Sequence, residues 1–163
     1  MKVLLTGSSK GIGHKIAEDL LAEGHELALH YNKNESPLKA LLKKDKTGSF
    51  SIQADLSQQD EIKKMVINTI DKLSFPDCII NNAGIAESAD ISIDIDNWSK
   101  MFDRTIDVNL KAPSIIFKEF LKYKREKKIN SRLRIINIAS RAAFRGEQQD
   151  YISYACSKGG IIS

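Results

Sequence analysis

Short apolar runs alternate along this chain with longer stretches in which apolar residues recur three and four positions apart. Lys2–Leu5 is a run of the first kind, closed by Thr6-Gly7, and reads as a strand. From Gly11 onward, Ile12, Ile16, Ala17, Leu20 and Leu21 fall at helical spacing, and Gly24 ends the pattern. Glu26–Tyr31 reads as a second strand, followed by a polar loop containing Pro37 and a Lys-rich helix over Leu38–Lys46. Ser49–Gln53 reads as a third strand. Asp60–Leu73 is a helix with Ile62, Val66, Ile67 and Ile70 on one face, and Asp77–Asn81 is a fourth strand. A long helix is predicted over Asp96–Arg125, bent near Pro113; Arg134–Ala139 is a fifth strand, and a last helix begins near Ser153. Strands that alternate with helices imply parallel strands joined by right-handed crossovers, hence an α/β chain with a doubly wound parallel sheet.

Composition sharpens this picture without altering it. The 163 residues, 42% hydrophobic and 28% charged, suit one compact domain, residues 1–163. No apolar run approaches the roughly 20 residues that cross a bilayer. The opening Met1-Lys2-Val3-Leu4-Leu5-Thr6-Gly7 is interrupted too soon for a signal peptide, so a cytoplasmic protein with no membrane partner is expected. Cys78 and Cys156 form no Cys-x-x-Cys, and His14, His25 and His30 lack ligand spacing, so reduced thiols and no metal are expected. The net charge is +4, with basic residues bunched over Lys122–Lys128. A nucleic-acid patch is one explanation; the other is a solvated helix end whose cations complement the dipole. Without interleaved aromatics or a recognition motif, no nucleic-acid partner is expected.

The first turn carries candidate chemistry. Thr6-Gly7-Ser8-Ser9-Lys10-Gly11-Ile12-Gly13 joins a strand to a helix. Glycine there accepts positive φ and lets a phosphate approach the backbone, while the helix N-terminus offers free N–H groups. The spacing departs from G-x-G-x-x-G, yet the strand–turn–helix context points to a nucleotide site at Gly7, Ser9, Lys10, Gly11, Ile12 and Gly13. Thr6-Gly7-x-x-x-Gly11-Ile12-Gly13 resembles the cofactor motif of the short-chain dehydrogenases/reductases, which implies a Rossmann-type fold and a nicotinamide dinucleotide.

An NAD-selective site of this kind places an acid at the end of the second strand, against the ribose 2′-OH. Here the segment reads Leu29-His30-Tyr31-Asn32-Lys33 and has none. Tyr31, Asn32 and Lys33 are taken as cofactor contacts. Lys10 and Lys33 could neutralise a 2′-phosphate, and a basic residue at the position of Lys10 goes with NADP preference in the family; the alternative is two ordinary surface lysines. NADP is the expected cofactor, with NAD second.

Ala54-Asp55-Leu56-Ser57 follows the third strand. The resemblance implies that Asp55, next to Leu56, meets the adenine amino group; from the residues alone Asp55 could equally cap the next helix. Asn81-Asn82-Ala83-Gly84 matches the family's Asn-Asn-Ala-Gly signature in full, which implies that Asn82, Ala83 and Gly84 border the adenosine side. Asn109, in Asp107-Val108-Asn109-Leu110, is unfavourable in mid-helix. The resemblance implies that it distorts the helix and holds a water leading to a catalytic Lys.

Tyr154-Ala155-Cys156-Ser157-Lys158 contains Tyr-x-x-x-Lys, which puts both side chains on one helix face. The motif alone is weak, since Tyr123-x-x-x-Lys127 repeats it. What separates them is Ser140, at the end of the fifth strand, 14 residues before Tyr154. Carbonyl reduction requires a proton donor at the developing alkoxide and an electrophilic hydrogen bond to the same oxygen. The resemblance implies Tyr154 as acid/base and Lys158 as the cation that lowers its pKa and holds the nicotinamide ribose. Ser140 then polarises the carbonyl, and Asn109 completes a proton relay. Tyr151 is read as pocket-lining.

The expected function is NADP-dependent interconversion of a small-molecule carbonyl and alcohol, in a homo-oligomer. Family members continue beyond the equivalent of Ser163 with further strands and a substrate lid, so the sheet is expected to be incomplete on its C-terminal side. The alternative is a truncated, inactive nucleotide-binding or interaction module.

Overall fold

The computed structural model describes residues 1–163. Its sheet has five strands, β1 (Lys2–Leu5), β2 (Glu26–Tyr31), β3 (Phe50–Gln53), β4 (Cys78–Asn81) and β5 (Arg134–Asn137). They lie in the order β3-β2-β1-β4-β5, and all neighbours are parallel. This is the doubly wound sheet expected from the alternation of apolar patterns. Residue parity assigns the faces. Val3, Leu5, Leu27, Leu29, Cys78 and Ile80 point to one cluster, closed by Ala17 of α1 (Gly11–Ala22) and Leu38 of α2 (Ser36–Leu42). Leu4, Ala28 and Ile79 point to the other, closed by Ile62, Met65 and Val66 of α3 (Gln59–Leu73).

Two boundaries moved for identifiable reasons. Helix α2 begins before Pro37, which sits in its first turn, where proline's missing N–H costs nothing. It ends at Leu42 rather than Lys46, because the Asp45 carboxylate gathers the N–H groups of Thr47, Gly48 and Ser49 into a turn, with Gly48 at φ +91°.

The predicted long helix is three pieces: α4 (Ile95–Ile106), a π-helical turn (Asp107–Lys111) and α5 (Ala112–Glu126). The irregularity lies at Asn109, ahead of Pro113, which occupies the first turn of α5 without disrupting it. Asp94 caps α4 by accepting from Asn97 N–H at 2.9 Å. Within the loop after β5 lies a short helix, α6 (Ala142–Arg145), and α7 (Ile152–Ile162) then packs across α4 and the π turn. β5 forms one edge of the sheet and is mostly exposed, Ile136 at 46%. No helix is long and apolar enough to cross a membrane.

Candidate functional site

Because β2 lies on one side of β1 and β5 on the far side of β4, the loops leaving β1 and β4 diverge and open a crevice at their C-terminal ends. A cleft of about 550 Å³ occupies it. Its floor is built by β1 and β4 together. The Thr6 hydroxyl accepts from the N–H groups of Asn82 and Ala83, both at 3.1 Å. The Asn82 amide donates to the carbonyls of Thr6 and Gly7, both at 3.0 Å. Gly7 turns the chain at φ +67°, and a Cβ there would stand 2.8 Å from Ala83 Cα. A Cβ on Gly13 would be driven into Gly7 O and Asn82 Nδ2. Both glycines are therefore required by contact between the two loops.

Helix α1 has no side-chain cap, so Gly11, Ile12 and Gly13 line the cleft with a first turn whose N–H groups are available to an anion. Ser9 and Lys10 line it from the loop; Asn32 and Lys33 line it from the end of β2, together with Asn34. Asn82, Ala83 and Gly84 form the opposite wall. Asp55 and Leu56 close one side. The Asp55 carboxylate accepts from Ser57 N–H at 2.9 Å and Ser57 Oγ at 2.8 Å, so it shapes the approach to α3 while still bordering the cleft. Burial works to raise its pKa, but the Ser57 hydrogen bonds and the charges of Arg104 and Lys33 outweigh this and hold it below the ordinary value.

Tyr31 stands apart from this group. It follows the parity of Leu27 and Leu29 and packs against their apolar cluster, on the opposite face from His30. His30, Arg104, Ile85 and Val108 line the cleft without having been singled out in the sequence. Arg104 and Val108 are four residues apart on one helical face, a spacing that could have flagged Arg104; it pairs with Glu87 at 2.6 Å.

Beyond Gly84 lies the Tyr-x-x-x-Lys face of α7. A Cβ on Gly84 would meet Asn109 Oδ1 at 3.4 Å and Lys158 Nζ at 3.6 Å, so the cleft wall touches both. Lys158 is 6% exposed and donates from Nζ to the Ile138 carbonyl at 2.8 Å. Nζ lies 5.8 Å from the Tyr154 ring centroid, and burial pushes the Lys158 pKa down. Ser140 Oγ accepts from Ala142 N–H at 3.2 Å. Asn109 is buried, and both the oxygen and the nitrogen of its amide are bonded. Its Oδ1 accepts from Ile85 N–H, and its Nδ2 donates to Ile85 O, each at 2.8 Å, and to Ser157 Oγ at 3.0 Å. The side chain thus ties the loop after β4 to α7 by direct bonds.

The profile of the short chain dehydrogenase family matches residues 1–163. The chain belongs to the short chain dehydrogenase family. Among short chain dehydrogenases it is 30% identical over 162 residues to a 3-oxoacyl-(acyl-carrier-protein) reductase of Staphylococcus epidermidis, covering 98% of this chain and 64% of that protein. It is 28% identical to an L-fucose dehydrogenase of Mus musculus, covering 99% of this chain and 56% of that protein. The chain thus spans less than two thirds of the length of these short chain dehydrogenases. The same Rossmann-type fold is present in a 4-hydroxyisoleucine dehydrogenase complexed with NADH: TM-score 0.84, 30% identity, 99% of this chain and 63% of that one. It recurs in a metagenomic short-chain oxidoreductase in complex with NADP: TM-score 0.82, 27% identity, 99% of this chain and 72% of that one.

Proposed function

We propose that residues 1–163 form the dinucleotide-binding and proton-transfer domain of an NADP-linked oxidoreductase that interconverts a carbonyl and an alcohol. The observation that carries this is one continuous groove. It begins at two lysines without carboxylate partners, Lys10 and Lys33. It crosses the uncapped start of α1 and ends at Gly84 against Lys158.

The residues fit a nicotinamide dinucleotide bearing a 2′-phosphate. Cations stand where β2 ends and no acid does, and backbone N–H groups face the space between the walls. Lys10 and Lys33 would hold the 2′-phosphate, Gly11–Gly13 the pyrophosphate, and Asp55 and Leu56 the adenine. When bound, the reduced nicotinamide supplies the hydride. Ser140 donates a hydrogen bond to the substrate carbonyl oxygen, and Tyr154 gives its phenolic proton to the oxygen as negative charge develops there. Lys158, in its ammonium form, favours the phenolate that remains. Asn109 acts on this group by position, through Ser157 and the backbone of Ile85.

Titration with NADPH and NADH, followed by nicotinamide fluorescence, tests the cofactor assignment. NADPH should bind more tightly, and Lys10→Ala should remove most of the difference, since it takes away a phosphate contact that NADH never makes. Equal affinities in the wild-type protein would overturn the NADP assignment. For the proton-transfer assignment, Tyr154→Phe should lower carbonyl reduction by about 10²–10⁴ with the NADPH dissociation constant unchanged.

A further inference from the structure

Both ring nitrogens of His30 are engaged by backbone groups whose hydrogen-bonding roles cannot change. Gly7 N–H donates to Nδ1 at 3.0 Å. Nε2 lies 3.0 Å from the Ala54 carbonyl oxygen, which can only accept. The ring is therefore held as the neutral Nε2–H tautomer. The same residue's carbonyl accepts from Ser8 N–H and from Ser8 Oγ, each at 2.9 Å. One residue of β2 thus anchors two consecutive residues of the glycine loop. His30 is 2% exposed, yet it borders the cleft.

We propose that His30 is a proton-sensitive positioning residue for the glycine loop: the neutral ring holds Gly7 in the shape that receives phosphate, and the protonated ring releases it. The proposal rests on the dinucleotide reading above. In the imidazolium both nitrogens carry hydrogens, so the N–H of Nδ1 would face the N–H of Gly7 and that bond is lost. Asp55, which follows Ala54, favours protonation; Lys10, Lys33 and Arg104 on the same cleft oppose it. Burial is the largest influence and holds the pKa below the ordinary 6.5, against the Ala54 hydrogen bond and the Asp55 charge. The loop-holding form therefore dominates at neutral pH and is lost as the pH falls below that value. A bound phosphate would attract an imidazolium, so simple charge attraction predicts tighter binding in acid, whereas loss of the anchor predicts weaker binding.

His30→Asn separates the two. The Asn Oδ1 sits as many bonds from the backbone as Nδ1, can accept from Gly7 N–H, and does not titrate. Calorimetric titration with NADP⁺ should show the wild type losing affinity relative to His30→Asn as the pH falls below 6.5, with no such drift above it. Comparing the two proteins cancels the titration of the 2′-phosphate itself. A ratio that does not change with pH, or a wild type relatively tighter in acid, overturns the proposal.

A second measurement needs no nucleotide. In ¹H–¹⁵N spectra of the free protein, the Gly7 amide should move with the protonation of the His30 ring, and should stay still over the same range in His30→Asn. A Gly7 amide indifferent to the ring overturns the proposal. Absence of NADP⁺ binding by both proteins at either pH would sink the dinucleotide reading, and the Gly7 amide would then decide the anchor by itself.

Discussion

A methyl group at position 13 has no room, since it would enter the Gly7 carbonyl and the Asn82 amide, whereas one at position 11 meets nothing within 4 Å. The two glycines should therefore respond differently. Gly13→Ala is expected to destabilise by about 1–3 kcal/mol through overpacking and to remove dinucleotide binding, because the loop and the β4 wall must separate. In stability, Gly11→Ala carries the strain of φ +56°, about 1–2 kcal/mol, with no overpacking against the protein. Urea denaturation with parallel NADPH titration distinguishes them. Asp55 offers a pH test. Its folded pKa lies below the ordinary 3.8, so its contribution is present above 3.8 and is lost as the pH falls through the folded value. Asp55→Ala should thus cost about 1 kcal/mol at neutral pH through loss of the Ser57 hydrogen bonds, with the gap to the wild type closing in acid melts. The glycine loop was legible in the sequence because its signal is local: a strand, a turn and a helix start in consecutive residues. His30 was not, because its role depends on which face of β2 it occupies and on β1 lying alongside.

The π turn is the element in which tertiary contacts override helical pattern. From apolar spacing, Asp96–Arg125 reads as one helix, with Pro113 the only visible cause of a bend. The structure places the irregularity at Asn109, whose amide satisfies both backbone groups of Ile85, a residue with no helical or strand partner of its own. The anomaly of a mid-helix Asn could be seen in the sequence; its partner, 24 residues away, could not. Asn109→Ala should cost about 2–3 kcal/mol in urea unfolding, because it leaves buried N–H and C=O groups unpaired. In the same variant α7 should loosen, since the Ser157 contact is lost, and amide exchange over Ile152–Ile162 should accelerate.

Across the whole molecule, stability should grade from the centre of the sheet to its β5 edge. β1 and β4 are paired on both sides and buried, whereas β5 pairs only with β4 and exposes Arg134, Ile136 and Asn137. Hydrogen exchange should therefore find β5 the least protected strand and β1 the most; equal protection across the sheet would contradict this account of where the core lies.

The alternation of strands and helices, the glycine turn after the first strand, and the shared helix face of Tyr154 and Lys158 are legible in the residues alone. These depend on periodicity and on residues close together in the chain, where spacing translates directly into a shared face. Tertiary structure alone decided that Tyr31 packs away from the cleft, that His30 anchors the glycine loop, that Arg104 reaches the cleft wall, and that Asn109 bridges to Ile85 and Ser157. Each of these depends on the strand order β3-β2-β1-β4-β5, which sets distant residues side by side. Hydrogen bonds and desolvation act over a few ångströms of space, whatever the separation along the chain.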